Sequence, residues 1–480
     1  MSPIRPAAVV VLAAGEGTRM KSATPKVLHE ICGRTLLGHV VAAARALEPA
    51  ELVVVVGHAA QQVAGHLAQV DPAVRTAVQA ERNGTGHAVR MALESLAADG
   101  VTLDGTVVVI NGDTPLLTSG TLGRLAAAHE RDGNAVTVLT AEVPDATGYG
   151  RIVRDADGAV TAIVEQKDAD EARRAIREIN SGVFAFDAKL LAEALSKVTT
   201  DNAQGEEYLT DTLAILRRAG HRVGAAPADD HQEIAGVNNR VQLAQARRTL
   251  NDRLLHDAML AGVTVVDPAS TWVDVTVEFE PDAVLLPGTT LRGATRIGAG
   301  AQVGPHSMLT DSVVGEGARL SFTVAEGARV GTGANVGPYA YLRPGTVLGA
   351  QAKAGTFVEM KNASVGEGSK VPHLSYVGDA TIGEHTNIGA ASVFVNYDGE
   401  HKHHSVVGSY CKTGADNMFV APVTVGDGVY TAAGSVIIKD VPSGALAVAR
   451  GQQRNIEGWV IRKRPGSAAA RAAEAGGPDE

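Results

Sequence analysis

Small aliphatic residues recur about six positions apart through the C-terminal half of the chain, and most of them are followed by glycine. A helix repeats about every 3.6 residues and a strand about every two, so neither produces this period. A β-helix does, because each short strand with its corner uses about six residues and stacks one aliphatic side chain inside the coil. The recurring residues are Ile297, Val303, Val330, Val336, Leu342, Leu348, Val365, Val371, Val377, Ile382, Ile388, Phe419 and Val425.

The period fails at residues 396–408, which are polar and rich in turn-forming residues. Insertions in solenoid proteins project from the wall and often carry binding residues, so we interpret this segment as a projecting loop. Its HKHH tract at 401–404 could suggest a metal site, but a solvated loop is the better interpretation because no other ligand cluster accompanies it.

The N-terminal half shows a different pattern, in which short continuous runs of Val, Ile and Leu are separated by amphipathic stretches. Continuous apolar runs are typical of strands buried on both faces, and their alternation with helices favours a mainly parallel sheet in a Rossmann-like α/β domain. The predicted strands include Val9–Leu12, Leu52–Val56, Val107–Ile110 and Ala135–Leu139, and the predicted helices include residues 35–47 and 87–97.

A long linker helix is predicted between these two regions, because apolar residues recur at helical spacing over 240–262. Asn238 or Asn239 is suited to cap its start, and Gly262 stands at its end. The last residues are low in complexity, which is typical of disorder. The four predicted segments are an α/β domain at 1–238, a linker helix at 239–262, a β-helix at 263–463 and a disordered tail at 464–480.

Charge and cysteine content exclude several classes of function. With 43 basic and 53 acidic residues, the formal charge of −10 does not favour nucleic acid or an anionic membrane as a partner. Cys32 and Cys411 cannot form a disulfide framework, and two thiols fit a reducing compartment. The apolar run at 7–14 is too short to cross a bilayer and we expect no secretory signal, so the predicted location is the cytoplasm.

A glycine-rich turn, LAAGEGTRM at residues 12–20, follows the first predicted strand. Glycines let backbone N–H groups approach phosphate oxygens, and the nearby Arg19 and Lys26 can neutralise phosphate charge. The turn lacks the GKS/T of a Walker motif, and Met20 stands where a dinucleotide fingerprint has its third glycine. Asp113 follows another apolar strand and offers a hard oxygen ligand for Mg²⁺. The sequence therefore predicts a phosphate-handling site in this domain.

The turn, together with the Pro25-Lys26 pair, resembles the signature of the sugar-nucleotide pyrophosphorylases, which transfer a nucleotidyl group from a nucleoside triphosphate to a sugar 1-phosphate. The segments QAERNGTGHAV, INGDTPLL, TGYGRIV, IVEQKD, INSGVF and GVNNR match further parts of that family in order. The resemblance implies that Asp113 and Asn238 hold Mg²⁺ and that Arg19 and Lys26 are catalytic. The UTP- and UDP-sugar-binding residues that it implies are Leu12, Ala13, Ala14, Gly15, Lys26, Gln79, Gly84, Thr85, Gly150, Glu165, Asn180 and Asn238.

The β-helix region carries a second set of chemically active residues. Arg343 and Lys361 are cations suited to a sugar phosphate, although a single cation on a solenoid face is more often only solvated. His373 interrupts a repeat of small residues near Tyr376 and Asp379. A neutral imidazole can take a proton from an ammonium group near neutral pH, so His373 is a candidate general base.

Residues of about 7–462, nearly the entire chain, resemble the bacterial bifunctional N-acetylglucosamine-1-phosphate uridylyltransferase/glucosamine-1-phosphate N-acetyltransferases. The segments specific to that family are EMKNASVGEGSKVPHLSYVGDA, NIGAASVFVNYDG and VAPVTVGDG. The resemblance implies a left-handed β-helix, His373 as general base, and a homotrimer that binds acetyl-CoA between subunits. Ala415 stands where that family often has serine. The residues implied for glucosamine 1-phosphate are Arg343, Lys361, Tyr376 and Asn387, and those for acetyl-CoA are Ala390, Asn396, Tyr397, Ala415, Ala433 and Arg450.

The activity implied by this resemblance has two steps. Glucosamine 1-phosphate is first N-acetylated, and Mg²⁺-dependent uridylyl transfer from UTP then gives UDP-N-acetylglucosamine, a precursor of peptidoglycan and cell-envelope polysaccharides, with release of pyrophosphate. Two alternatives stay open. One is a monofunctional pyrophosphorylase whose β-helix serves regulation or assembly, and the other is a non-enzymatic, nucleotide-sensing scaffold on the same fold.

Overall fold

The structure is a computed structural model that describes residues 4–476. The chain forms two compact units. The first contains the chain up to Phe279 together with Pro287–Thr295, and the second contains Glu280–Leu286 and the chain from Arg296 onward. Each unit is described by itself.

The first unit is built on a nine-stranded mixed sheet within the described residues. Strand Ala8–Ala13 lies parallel between Glu51–Val56 and Thr106–Asn111, and Glu178–Asp187 runs antiparallel to both of its neighbours. The strands along the main path are Val223–Pro227, Val136–Glu142, Glu178–Asp187, Thr106–Asn111, Ala8–Ala13, Glu51–Val56 and Arg75–Val78, and the hairpin Arg151–Arg154 with Val160–Val164 pairs beside Glu178–Asp187.

Both faces of this sheet are buried, which explains the continuous apolar runs in the sequence. Val9 and Val11 belong to one hydrophobic cluster and Val10 to another, because successive side chains of a strand point to opposite faces. The prediction of a Rossmann-like α/β domain is confirmed. Its helices are Leu36–Arg45, Ala60–Val70, Thr85–Ala98, Ser119–Asp132, Glu171–Arg174, Ala188–Leu195, Asp211–Arg218 and Arg240–Leu260, with 3₁₀ turns at Thr18–Met20 and Lys26–Leu28 and a short strand pair at Glu30–Ile31 and Arg34–Thr35.

The predicted linker helix spans Arg240–Leu260 and is capped by Asn239, whose Oδ1 accepts a hydrogen bond of 2.9 Å from the N–H of Gln242. The fully buried Asn251 donates to the carbonyl of Thr271 and accepts from the N–H of Val273. These bonds attach the segment after the helix to the first unit. The strands of that segment are Thr264–Val265, Trp272–Val273, Glu278–Phe279 and Thr290–Arg292.

The second unit is a parallel β-helix, as predicted. Gln302–Val303 pairs in register with Arg319–Leu320, which pairs in turn with Asn335–Val336. The aliphatic residues of the six-residue period are buried inside the coils, which confirms the physical reading of that period. The strands of this unit are Val284–Leu285, Arg296–Ile297, Gln302–Val303, Met308–Thr310, Val313–Val314, Arg319–Leu320, Thr323–Glu326, Arg329–Val330, Asn335–Val336, Ala340–Leu342, Val347–Leu348, Lys353–Thr356, Glu359–Val365, Lys370–His373, Tyr376–Ile382, Val393–Val395, Ser405–Val407, Met418–Val420, Val423–Val425, Tyr430–Thr431, Val436–Ile437 and Leu446–Ala447.

Two predictions in this region differ from the structure. The projecting loop is shorter than residues 396–408, because Ser405–Val407 rejoins the wall as a strand. The tail predicted to be disordered from residue 464 contains helix Ala468–Ala475, after helix Trp459–Lys463. Alanine has the highest helix propensity, and the Ser467 hydroxyl accepts a hydrogen bond from the N–H of Ala470, so this short segment has both a favourable composition and a cap. Residues 477–480 lie outside the described part of the chain.

Across the described range, no helix has both the length and the apolar composition that crossing a bilayer requires.

Candidate active sites

The first site lies at the carboxyl ends of the central strands of the α/β sheet, where the glycine-rich turn follows Ala8–Ala13. Parallel strands end at one edge of a sheet, so residues far apart in sequence meet there. Several predicted residues line one pocket at this edge, namely Leu12, Ala13, Ala14, Gly15, Lys26, Gln79, Gly84, Thr85 and Asp113. The lining also includes residues that the sequence analysis missed, namely Val27, Arg82, Ala88, Asn111 and Glu206.

Lys26 joins the two predicted metal ligands. Its Nζ contacts the Asp113 carboxylate and donates to Asn238 Oδ1 at 3.2 Å. Arg19 Nη2 donates to the same Asn238 oxygen at 2.9 Å. Gly17 is necessary for this approach, because a β-carbon there would lie 2.5 Å from Lys26 Cβ. The two candidate catalytic cations and the two candidate metal ligands therefore form one cluster.

The donors in this cluster fit Mg²⁺. A carboxylate oxygen of Asp113 and an amide oxygen of Asn238 contact the same ammonium nitrogen, so they are close enough to share one cation. Both are the oxygen ligands that Mg²⁺ prefers. Residues 4–476 contain no group of three or more His, Cys, Asp or Glu placed to hold a metal. A bound Mg²⁺ would complete its coordination with phosphate oxygens and water, as is usual at nucleotide sites.

Gln79 is buried at the rim of the pocket, with 4% of its surface exposed. Its Nε2 donates to the carbonyl of Gly84 at 3.0 Å and lies 3.0 Å from His87 Nδ1. Its amide is therefore held in one orientation, as recognition of a base edge requires. His87 is a further residue that the sequence analysis missed, and its position three residues after Gly84 gave no signal of this contact. Thr85 begins helix Thr85–Ala98, and its hydroxyl accepts from the N–H of Leu209.

The three residues predicted to contact the sugar also lie together. The N–H of Asn180 donates to the carbonyl of Gly150, and a β-carbon on residue 150 would lie 3.1 Å from Glu165 Oε1. Burial raises the pKa of Glu165; the Thr210 hydroxyl opposes this shift, and nearby acidic residues add to it. Asn180 is itself buried. The Glu165 carboxyl group thus lies beside Gly150, and the side-chain oxygen of Asn180 accepts a hydrogen bond from the N–H of Gly182. A carboxyl group and an amide in this arrangement are suited to sugar hydroxyl and acetamido groups.

The second site lies on a wall of the β-helix that carries three cations. Arg343 Nη1 donates to Glu359 Oε1 at 2.9 Å, and Tyr376 is paired with Glu359 on the next coil. Lys361 lies beside Lys402, a residue that the sequence analysis did not select. The contact and charge of Lys402, followed by the charge of Arg343, lower the pKa of Lys361. Three cations that lie this close together, of which Arg343 is paired with Glu359 and Lys361 faces Asp379, are suited to a dianionic phosphate.

Asp379 connects this wall to the loop that begins at Asn396. Asn396 Nδ2 donates to Asp379 Oδ2 at 2.5 Å and lies 3.5 Å from the Tyr376 hydroxyl. On the other side, Asn362 Nδ2 donates to Asp379 Oδ1 at 2.7 Å. Asn362 was also missed. The signal that could have found these residues is their spacing, since each pair is 17 residues apart, which is one coil.

His373 ends strand Lys370–His373 at a corner of the β-helix, and it is exposed. In the earlier coils, stacked rings occupy the next position of this corner, which is that of Leu374, with Tyr339 and Phe357 at a centroid distance of 5.4 Å. Beyond His373 the corner carries small residues. The N–H of Ala391 donates to the carbonyl of His373. In the same way, the carbonyls of Ala390 and Ala415 accept hydrogen bonds from the N–H groups of Asp416 and Gly434. The predicted acetyl-CoA residues on this column are Ala390, Ala415 and Ala433, and Arg450 Nη1 donates to the carbonyl of Ala433.

Two predicted residues stand apart from this arrangement within one chain. Asn387 is bridged to Lys370 and Lys412 and so belongs to a different wall from Tyr376. Tyr397 lies in the projecting loop with 57% of its surface exposed. A single chain therefore does not bring Asn387 to the other residues predicted for glucosamine 1-phosphate.

The histidines of the loop point to separate partners. His403 Nε2 lies 2.6 Å from Asp398 Oδ2, and His404 Nε2 lies 2.9 Å from Thr381 Oγ1. The N–H groups of Glu400 and His401 also donate to Asp398. Asp398 therefore organises the loop from within.

Comparison with known proteins agrees with two sites on one chain. Residues 9–183 match the family model of the MobA-like NTP transferase domain. Over 99% of its length the chain is 77% identical to the "Bifunctional protein GlmU" of Streptomyces avermitilis, 98% of which is covered. It is 74% identical to the protein of the same name from Streptomyces coelicolor and 65% identical to that from Thermobifida fusca, again with 99% of the chain and 98% of each relative covered.

Proposed function

The chain belongs to the family of bifunctional GlmU proteins, and we propose that it makes UDP-N-acetylglucosamine at two separate sites. The β-helix site N-acetylates glucosamine 1-phosphate with acetyl-CoA. The α/β site then transfers a uridylyl group from UTP to the product and releases pyrophosphate. The observation that carries this proposal is the presence of two distinct charged clusters, one around Lys26 and Asp113 and one around Lys361 and Lys402.

For uridylyl transfer, the phosphate of the sugar attacks the α-phosphorus of UTP and pyrophosphate leaves. The nucleophile is already an anion, so the site needs no strong base; it needs alignment and charge stabilisation. Arg19 and Lys26 supply positive charge, the glycine-rich turn supplies backbone N–H groups, and Gln79 recognises the uracil edge. Asp113 and Asn238 would hold Mg²⁺, which neutralises charge on phosphate oxygens when bound.

The sugar end of this site consists of Gly150, Glu165 and Asn180. The raised pKa of Glu165 follows mainly from its burial, and a bound sugar hydroxyl would give the carboxyl group a hydrogen-bond partner in that environment. This supports recognition of N-acetylglucosamine 1-phosphate by these residues, which lie outside the lining of the pocket around Lys26 and Asp113.

For acetyl transfer, Arg343, Lys361 and Lys402 would bind the phosphate of glucosamine 1-phosphate. His373 takes a proton from the substrate ammonium, and the free amine then attacks the thioester carbonyl, forming the amide and releasing CoA. The stacked alanines along the His373 corner would leave room for the CoA chain. Ala415, where the family often has serine, removes one possible hydroxyl contact and leaves this chemistry unchanged.

We further propose a homotrimer in which a neighbouring subunit supplies Asn387. The position of Asn387 on another wall supports this assembly, because one chain alone does not bring it to Tyr376. The proposed location is the cytoplasm.

A coupled assay tests the proposed function. Acetyl-CoA, glucosamine 1-phosphate, UTP and Mg²⁺ are supplied together, and CoA thiol and pyrophosphate are measured separately. A second reaction supplies N-acetylglucosamine 1-phosphate, UTP and Mg²⁺, so that uridylyl transfer is measured independently of acetylation. We expect His373→Ala to abolish CoA release while UDP-sugar formation from N-acetylglucosamine 1-phosphate continues, and Asp113→Ala to do the reverse. If either substitution removes both activities from a folded chain, the two-site proposal is wrong. A wild-type chain that lacks only acetyl transfer would support the monofunctional pyrophosphorylase, and one that lacks both activities would support the non-enzymatic scaffold.

A further inference from the structure

Asp379 occupies a corner position at which the backbone is left-handed. Its φ is 47°, and Asn362, one coil earlier at the same corner, has a φ of 45°. Earlier coils place Gly327 and Gly345 there, also at positive φ. Glycine adopts this conformation without strain, whereas Asp and Asn are tolerated because of their short polar side chains. At these two coils the corner side chains also bond to each other, since Asn362 donates a hydrogen bond to Asp379.

The Asp379 carboxylate accepts one hydrogen bond on each oxygen. Asn362 donates to Oδ1, and Asn396 donates to Oδ2. Asn396 is buried, with 8% of its surface exposed, so its orientation is set by these contacts and not by water. The same amide nitrogen also lies near the Tyr376 hydroxyl. The hydrogen bond to Asp379 therefore fixes the orientation in which this amide faces Tyr376.

The same carboxylate also affects the position of Lys402. The carbonyl of Asn396 accepts a hydrogen bond of 2.8 Å from the N–H of His403, which closes the loop, and Lys402 lies inside this closure. Anchoring Asn396 thus anchors the segment that presents Lys402 to Lys361.

Charge supports the same conclusion. Burial raises the pKa of Asp379, and the hydrogen bonds from Asn362 and Asn396 oppose this shift. The charges of Lys402 and Lys361 lower that pKa further, so Asp379 is ionised at neutral pH. The charged groups that face Lys361 are Lys402 from the loop, Arg343 from the earlier coil, which is paired with Glu359, and Asp379.

We propose that Asp379 is a positioning residue of the acetyl-transfer site: it fixes the amide of Asn396 beside Tyr376, and its negative charge keeps Lys361 and Lys402 together as one phosphate-binding pair. This inference rests on the proposed function of the β-helix site. Asp379 acts through these neighbours and is not assigned a contact with substrate.

The test compares Asp379→Asn, Asp379→Glu and the matched control Asp311→Asn in the full-length protein. Asp311 is an aspartate of the same corner with a φ of 48° and lies several coils before the site. We expect Asp379→Asn to raise KM for acetyl-CoA by about tenfold or more, with a smaller change in kcat, since it removes a charge-assisted hydrogen bond from Asn396. In the same variant, glucosamine 1-phosphate binding should be lost at a lower pH than in the wild type. The reason is that Lys361 no longer has beside it the negative charge that favours its protonated form.

The other variants separate charge from geometry. Asp379→Glu keeps the negative charge, so glucosamine 1-phosphate binding should be lost at the same alkaline pH as in the wild type. KM for acetyl-CoA should still be raised, because the longer side chain changes the geometry. Asp311→Asn should match the wild type in both. Uridylyl transfer by the same samples and their thermal midpoints report folding, and binding is measured by titration calorimetry with glucosamine 1-phosphate.

The inference would be overturned by a folded Asp379→Asn variant that has the wild-type KM for acetyl-CoA and loses glucosamine 1-phosphate binding at the same pH as the wild type. If that variant does not fold, Asn362→Ala removes one of the two partners of Asp379, and we expect a rise of a few-fold in KM for acetyl-CoA; an unchanged KM would equally overturn it. A wild-type chain that forms UDP-sugar but never acetylates glucosamine 1-phosphate would instead overturn the proposed function of the β-helix.

Discussion

Gly378 faces Tyr376 so closely that a β-carbon on residue 378 would overlap the tyrosine hydroxyl. The same β-carbon would lie 2.8 Å from Asn396 Nδ2. The glycine therefore provides the space in which the hydroxyl and the amide meet. Gly378 does not have a positive φ, so glycine is required here because it lacks a side chain and not because of its backbone conformation.

We predict that Gly378→Ala lowers kcat/KM for acetyl transfer by about tenfold or more, because Tyr376 and Asn396 must both move. Uridylyl transfer by the same sample should stay at the wild-type level. Gly65→Ala is the matched control, since a β-carbon there meets open space on helix Ala60–Val70. Equal acetyl transfer in both variants would contradict the role of Gly378.

Lys26 is predicted to be indispensable for uridylyl transfer. Lys26→Ala removes a cation from the place where negative charge accumulates and leaves Asp113 without the ammonium it contacts, so we expect kcat to fall by about 100-fold or more. Lys26→Arg should recover part of the rate, since the charge returns with a different shape. Pyrophosphate release measures the loss, and CoA release in the same sample is the control. A rate within a few-fold of wild type would show that Lys26 only pairs with Asp113.

Binding of glucosamine 1-phosphate should weaken at alkaline pH earlier than an ordinary lysine would allow. Lys402 and then Arg343 lower the pKa of Lys361, and only the protonated amine attracts the phosphate. Affinity is therefore present below this lowered pKa and is lost as the pH rises through it. Lys402→Ala removes the main cause of the shift, so the alkaline limb should move to higher pH even though the maximal affinity falls. Calorimetric titration of both proteins across alkaline pH measures this, and coincident limbs would contradict the assignment.

The end of the first folding unit can be tested with fragments. Asn251 is fully buried, and its two partners, Thr271 and Val273, lie beyond the predicted end of the linker helix at residue 262. A fragment of residues 1–295 should therefore unfold at a higher temperature than a fragment of residues 1–262, by about 2–8 °C.

Calorimetry measures both fragments, and Asn251→Ala supplies the control. This substitution should lower the midpoint of the longer fragment and leave that of the shorter one nearly unchanged, because the shorter fragment already lacks both partners. Equal midpoints for the two unsubstituted fragments would place the boundary at the helix end instead.

Local patterns were sufficient for much of the fold. The six-residue period predicted the coils because each coil repeats the same short-range geometry. The aliphatic residue of each repeat, such as Val330 or Leu342, is buried inside its coil for that reason. Continuous runs such as Val107–Ile110 predicted strands covered on both faces. The tail was predicted wrongly because low complexity was given more weight than the helix propensity of alanine and the Ser467 cap.

The sequence and the tertiary structure determined different properties of the two sites. By itself the sequence determined which residues carry chemistry, such as Lys26, Asp113 and His373, because residue type and local spacing are written in it. Only the tertiary structure decided which of them meet: Lys26 between Asp113 and Asn238, and Asn396 against Asp379. A hydrogen bond depends on distances of a few tenths of an ångström between groups far apart along the chain, and those distances exist only after the sheet edge and the coils have been packed.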